Sequence, residues 1–322
     1  GNPVAAVPST TLLPTVDLTP LPTLAPPTAG PGPTAEALPT ISMAALIDPR
    51  GKTPVTDENV LGGLVVFSMR SGASIHLWGY AVGDETPTRL TSGPWEDREP
   101  AISHDGRQIA YASRRQDGWN LQLLDLNSGE TRQLTSGPEF EGRPAWSPDD
   151  QWLVFEQYRD NQLDIRLLNI QSGESHYLTA DPSGDYNPAW SPDGRTIAYV
   201  STRTGKPELW LRSLDKPFET DAVQLTSNGA IQPTTPAFSP DGTRLLFTDA
   251  ASPLSQAYVL TLSDLGAGPV EVGQGDSLAW ATPADGVVGI LHSENASDAL
   301  AWATLGHPGD ARILYRAEHG RI

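Results

Sequence analysis

The sequence predicts an all-β protein, a six-bladed β-propeller carrying an extended Pro/Thr-rich N-terminal arm. Three observations support this reading. One motif, Pro-Ala-x-Ser followed by an Asp-containing turn, returns four times, with serines at 103, 147, 191 and 239 and spacings of 44, 44 and 48 residues. Inside each copy the apolar residues alternate with the period of strands. The N-terminal residues have neither feature, which places an arm or stalk at 1–58 and the propeller at 59–322.

The arm comes first. Residues 1–40 hold ten of the 30 prolines and eight threonines, with Asp17 and Glu36 as their only charges. Proline fixes φ and removes the amide donor, so this density excludes helix and central strand and favours extended polyproline II. The basic start and continuous apolar stretch of a signal peptide are missing. The Thr-Pro texture suits the stalk that follows a membrane or lipid anchor in an exported bacterial protein, periplasmic or at the cell surface. Any membrane contact would then run through an anchor absent from this chain. Linkers are ordinarily polar, yet this one spaces Val4, Val7, Leu12, Leu13, Val16, Leu18, Leu21 and Leu24 along its length. Those side chains suit pockets while an extended backbone adds to a sheet edge, on the chain's own propeller or on a neighbouring copy. A plain linker and a docking arm both stay open, and the second would permit a head-to-tail polymer.

The blades follow in order. The first runs from about Val60, with Val65, Val66 and Phe67 on one strand, Ile75 to Tyr80 on the next, and Leu90-Thr91 at its end. The next four each open on the motif: Pro100-Ala101-Ile102-Ser103, Pro144-Ala145-Trp146-Ser147, Pro188-Ala189-Trp190-Ser191 and Pro236-Ala237-Phe238-Ser239. The Ser-Pro-Asp-Gly tetrad is a turn with a mechanism. Proline presets the first central φ, Asp bonds back to the local backbone, and Gly supplies the left-handed residue before the next strand. Asp150 replaces that Gly once. Two further turns, such as Ser113 to Gly118 and Asn127 to Glu130, divide each unit into four short strands, which is one propeller blade. The sixth blade opens on the degenerate Leu278-Ala279-Trp280-Ala281 and runs to about Leu314. The first blade lacks the Pro-Ala-x-Ser strand; Ile41 to Ile47 or Ile313 to Tyr315 are the candidates to supply it and hide two sheet edges.

At these residues the chain resembles the TolB-like propellers, whose blades read Pro-Ala-Trp-Ser-Pro-Asp-Gly, an apolar strand, then Ser-x-Arg-x-Gly. The likeness covers residues 60 to about 275 well and the last blade weakly. It implies a fold and not an activity, because that propeller serves as a periplasmic interaction module, beside peptidases, and in exported proteins of other roles.

Composition narrows the chemistry. The 39 acidic against 21 basic residues give a net charge of -18, which disfavours nucleic acid. Residues 1–59 carry a net -3, so the acidity belongs to the propeller. With no Cys there is no disulfide, thiolate metal site or cysteine nucleophile. No run of about 18 apolar residues is present to span a bilayer. Gly-x-Ser-x-Gly is absent, which removes the α/β-hydrolase reading. Ser-Pro-Asp-Gly places its Gly too early for a sialidase Asp box. The six histidines never fall at His-x-His or His-x-x-x-His spacing, so no cofactor is expected beyond a hard cation such as calcium in an acidic channel. Asn295-Ala296-Ser297 fits the N-glycosylation pattern, a short motif that chance supplies.

One set of residues stands out by position. Arg70, Arg115, Arg159 and Arg203 fall in the turn after the second strand of successive blades. The segment leading into the blades contributes Asp97, Arg98, Glu99, Glu141, Arg143, Asp185, Tyr186 and Asn187. Together they would rim one channel mouth. If structural, each Arg pairs with a carboxylate of the adjacent blade and staples the ring. If functional, the mouth binds a peptide, carboxylate or glycan, with Trp95 and Trp119 available for stacking. Trp146, Trp190 and Trp280 share one repeat position and read as core. The reading is a non-enzymatic interaction or structural surface module whose partner is another protein or its own copies. The alternative is a carbohydrate-active or metal-assisted hydrolase using mouth carboxylates such as Glu99 and Asp185.

Overall fold

The computed structural model describes residues 63–115, 118–216, 221–227, 229–252, 255–281, 286–291, 298–305 and 307–317. The arm, with Val4 through Leu24, and the segment Ile41 to Ile47 lie outside the described residues. Within them the protein is an all-β propeller with no α-helix.

Twenty-three strands form five hydrogen-bonded sheets. The first is β1 (Leu64–Ser71), β2 (Ser74–Ala81) and β3 (Thr88–Arg89). The second has eight strands: β4 (Glu96–Ile102), β5 (Gln108–Arg115), β6 (Gly118–Asp125) and β7 (Thr131–Gln133), then β8 (Phe140–Trp146), β9 (Trp152–Arg159), β10 (Gln162–Asn169) and β11 (Ser175–Tyr177). Three four-stranded meanders complete the set. They are β12 (Asp185–Trp190), β13 (Thr196–Ser201), β14 (Glu208–Ser213) and β15 (Val223–Gln224); β16 (Pro233–Phe238), β17 (Arg244–Asp249), β18 (Gln256–Thr261) and β19 (Val270–Gln274); and β20 (Asp276–Ala281), β21 (Gly286–Leu291), β22 (Ala299–Thr304) and β23 (His307–Arg316).

The sheets differ from the expected six of four strands in two ways. The eight-stranded sheet is two antiparallel meanders joined by one parallel pair, Trp119 to Phe140, whose rings meet edge-on at 6.2 Å. The first sheet has three strands among the described residues, which begin at Gly63, one residue before β1. Ile313 to Tyr315 does not supply the missing strand: these residues belong to β23, which pairs with β22 in the last sheet.

Alternation in the strands builds the core between sheets. Ile109 and Tyr111 of β5 pack on Leu77 of β2. Ala198, Val200 and Leu209 meet Leu245, Phe247 and Leu260 across the next interface, and Leu246 and Val259 meet Val287. Phe67 and Tyr80 of the first sheet meet Leu300 of the last, and the Tyr80 hydroxyl donates to the Leu314 carbonyl at 2.8 Å. That contact closes the ring. Trp146 and Trp190 are buried as expected, whereas Trp280 is half-buried and lines the central cavity; the Trp146 indole donates to Ala101 O at 2.9 Å and the Trp280 indole to Ala237 O at 3.0 Å, each across an interface.

The Ser-x-Asp-Gly turns repeat one bond set. Ser191 Oγ donates to Asp193 Oδ1 at 2.5 Å and accepts from Thr196 N at 2.9 Å, while Gly194 N donates to Ser191 O at 3.0 Å. Ser103, Ser147 and Ser239 do the same in their own copies. The closing residue has positive φ each time: Gly106, Asp150, Gly194 and Gly242, at 70, 57, 74 and 71°. Asp150 uses the position differently, because its carboxylate accepts His104 N and Asp105 N of the preceding turn at 2.7 and 2.9 Å.

Candidate functional site

Inner strands β4, β8, β12, β16 and β20 wall a central channel of about 1280 Å³. Each breaks register with its neighbour at one place, between Arg98 and Ala101, Gly142 and Ala145, Tyr186 and Ala189, Thr234 and Ala237, and Asp276 and Ala279. At each break one residue takes positive φ: Glu99 (55°), Arg143 (49°), Asn187 (54°), Thr235 (48°) and Ser277 (50°). None is glycine, and all five line the channel. Left-handed backbone at a residue with a Cβ costs on the order of 1–3 kcal/mol, so the surrounding bulge must impose it. Proline follows in four of the five, which suits a position already off the hydrogen-bond ladder.

A bulge turns an N–H away from its ladder, and three of these are caught by carboxylates. Arg143 N donates to Glu99 Oε2 at 2.9 Å, Asn187 N to Glu156 Oε2 at 2.9 Å, and Ser277 N to Asp276 Oδ1 at 2.8 Å. The Arg143 guanidinium lies 3.7 Å from both Glu99 and Glu156. Burial pushes the Glu156 carboxyl above the usual range, and the nearby Arg143 pulls it back. Asn187 Nδ2 donates to Thr234 Oγ1 at 2.5 Å, and the Thr235 and Thr248 hydroxyls lie 3.2 Å apart. A Cβ at Gly142 would stand 2.6 Å from Glu99 Oε2 and 2.9 Å from the Phe140 ring, so a larger residue there would have to move both side chains. The result is a collar of five positions with one backbone geometry and different side chains.

The expected mouth residues separate into two groups. Arg70, Arg98, Glu99, Arg143 and Asn187 line the channel. Asp97, Glu141 and Asp185 are buried in their own blades at 1, 4 and 0% exposure. Ser113 Oγ donates to Asp97 at 2.7 Å, and Gln157 Nε2 to Glu141 at 2.8 Å. Asp185 holds Arg203 at 3.2 Å. Burial pushes Glu141 up, and it likewise raises Tyr186, which packs against the core beside Ala198 and Phe247.

Among the described residues, the ion pairs of Arg159 and Arg203 and the ring contact of Arg115 lie within their own repeat units and not across to a neighbouring blade. Arg203 pairs within its own sheet and stacks on Trp210 at 4.7 Å. Arg115 lies over Trp95 at 5.2 Å, and Arg159 reaches its neighbour Asp160 at 3.3 Å. Arg98 pairs with Glu96 at 3.1 Å and lies over Trp119 at 5.4 Å, so both candidate stacking tryptophans sit under arginines.

Arg70 is also out of register. Equivalent carbonyls of Arg107, Gln151 and Arg195 accept from Leu126, Ile170 and Leu214, and counting eight residues on from each gives Arg115, Arg159 and Arg203. In the first blade Gly63 O accepts from Val82 N, and the same count gives Ser71. A one-residue slip turns a strand residue to the opposite side.

The residues missed in the sequence are Thr235, Ser277 and Glu156. The first two had a signal: they hold the position before the motif's Pro-Ala, or before Leu278-Ala279 in the last blade, which Glu99, Arg143 and Asn187 hold in theirs. Glu156 had none, lying unmarked within a strand. Asp185 is fully buried against Arg203 and does not line the channel. Among the described residues no group of three His, Asp or Glu side chains is arranged to hold a metal ion.

Residues 90–218 match the family model of the TolB β-propeller domain. No curated protein sequence matches the chain. Among solved structures, TolB from Acinetobacter baumannii superposes with a TM-score of 0.70 at 20% identity, over 80% of this chain and 65% of that one. This chain thus spans 65% of that TolB's length. A chain of a nidogen/laminin complex gives 0.61 at 9% identity, over 80% and 96%. Oligogalacturonate lyase from Vibrio parahaemolyticus gives 0.55 at 15% identity, over 82% and 81%. At these identities the likeness shows the fold alone, a β-propeller.

Proposed function

We propose that this chain is a six-bladed, non-enzymatic propeller of an exported bacterial protein, acting as a protein-interaction or structural surface module through its channel mouth. The N-terminal arm tethers it or docks on a neighbouring subunit. Six blades follow if the eight-stranded sheet is read as two, since one residue pair joins its halves. The observation that carries the interaction reading is the collar. Five positions keep one strained backbone geometry while their side chains differ in charge and size, as a recognition surface on a repeated scaffold requires. The burial of Asp185 against Arg203 counts against the hydrolase alternative, which would draw on mouth carboxylates such as Glu99 and Asp185.

The test is selection of displayed random peptides on the full chain, repeated on Asn187→Ala/Thr235→Ala. We expect an enriched peptide class that the double variant loses. Equal enrichment on both proteins would sink the mouth reading. Turnover of oligogalacturonate or peptides that Glu99→Gln abolishes would overturn the non-enzymatic one.

A further inference from the structure

Two of the collar residues share one buried carboxylate. Glu156 of β9 is buried and stands behind the channel lining. Its Oε2 accepts from Asn187 N at 2.9 Å, and its Oε1 lies 3.7 Å from Arg143 Nε. Arg143 belongs to β8 and Asn187 to β12, so this carboxylate sets channel-lining residues of neighbouring blades side by side. Their remaining hydrogen-bonding capacity is complementary. Asn187 is 4% exposed and its Nδ2 is committed to Thr234 Oγ1, which leaves Oδ1 as its unpartnered side-chain atom among the described residues. That oxygen is not closed off from solvent, so what Asn187 shows the channel is an acceptor. Arg143 is half-buried, and its guanidinium makes no hydrogen bond among the described residues, so it offers donors.

Charge decides which ligand group this pair suits. A carboxylate would match the guanidinium by itself. But Glu99 and Glu156 each stand 3.7 Å from Arg143 Nε, so one positive charge already faces two negative ones and a third anion is disfavoured. A neutral group with an acceptor and a donor on the same edge fits instead. A primary amide is such a group, because its C=O and one of its N–H bonds point the same way. A trans peptide bond directs them to opposite sides. We propose that Arg143 and Asn187 form a subsite for a primary amide, the side chain of a Gln or Asn on the partner segment, with Glu156 as its positioning residue. The amide C=O accepts from the Arg143 guanidinium, and its N–H donates to Asn187 Oδ1. The subsite rests on the interaction reading of the mouth and names the side chain that the mouth selects.

Acetamide, N-methylacetamide and acetate are titrated into the full chain while proton–nitrogen NMR follows the Arg143 Nε–H resonance, assigned with Arg143→Lys. Acetamide is expected to shift it and to bind about fivefold tighter than acetate. A preference for N-methylacetamide would assign the contact to backbone amides, and a preference for acetate to carboxylates. Either overturns the proposal, as does no shift with any of the three. Glu156→Gln keeps an acceptor for Asn187 N and removes one negative charge. It should narrow or reverse the preference for acetamide over acetate, which a merely structural role would not do; an unchanged preference overturns the role of Glu156. Peptide selection separates this subsite from the interaction reading. Enriched peptides that lack Gln and Asn would overturn the subsite and leave the mouth reading standing. Acetamide binding without enriched peptides would overturn the mouth reading and not the subsite.

Discussion

The two ends of each blade use repetition differently. At the Ser-x-Asp-Gly end, four copies keep the side chains and the bonds: serine to aspartate, then the strand amide back to serine. At the channel bulge the backbone is kept and the side chains diverge into Glu99, Arg143, Asn187, Thr235 and Ser277. An end that repeats its chemistry does one structural job several times. An end that repeats only its geometry presents a different group from each blade to one shared space. The lesson is that the repeat signals architecture at one end and individuality at the other.

The comparison breaks most sharply at the arginines, which share a repeat position and differ in burial. Arg203→Ala leaves the Asp185 carboxylate buried without its cation and should cost about 3–5 kcal/mol, read as a lower urea midpoint. Arg159→Ala, in an exposed pair with Asp160, should cost no more than about 1 kcal/mol. Equal losses would mean that the position, and not its surroundings, sets the role.

A smaller effect tests the backbone half of the comparison. Both ends hold left-handed residues, but only the turn end uses mainly glycine. Ser277→Gly should raise stability by about 0.5–1 kcal/mol by relieving its φ of 50°. Gly194→Ala should lower it by about 1–2 kcal/mol at a φ of 74°. A loss in Ser277→Gly in thermal melts would show that the serine side chain contributes more than its backbone costs.

The smallest expected effect concerns pH. His76 is buried beside Asp97 at 3.9 Å, and burial, aided by the Arg89 charge, lowers its pKa from the ordinary 6.5. The unfolded chain therefore binds the proton more readily. Stability should be full above pH 6.5 and fall as the pH drops from there toward the depressed folded value. His76→Asn should flatten that part of the profile in urea melts run between about pH 7 and 5. An unchanged slope would assign the acid sensitivity to other groups.

How much was legible in the sequence followed the range of the interactions. The Ser-x-Asp-Gly turns were readable because their bonds close within six residues, as Ser103, Asp105 and Gln108 do. Blade size and the core tryptophans were readable because repetition displays them. The positive φ at Thr235 and Ser277 was not, since a bulge exists only once two strands pair. Arg70 was misplaced because Ser-x-Arg matched in sequence while hydrogen-bond phase put Ser71 at that position.

By itself the sequence determined an all-β repeat with local turns of known chemistry, an acidic surface and an arm of separate composition. Those properties depend on neighbours in the chain and on period, both visible in one dimension. Only the tertiary structure decided which carboxylates face the channel and which are sealed, as Asp185 is by Arg203. It also decided that Arg143 stands between Glu99 and Glu156. Each of these depends on a contact between strands whose register and burial no single segment encodes.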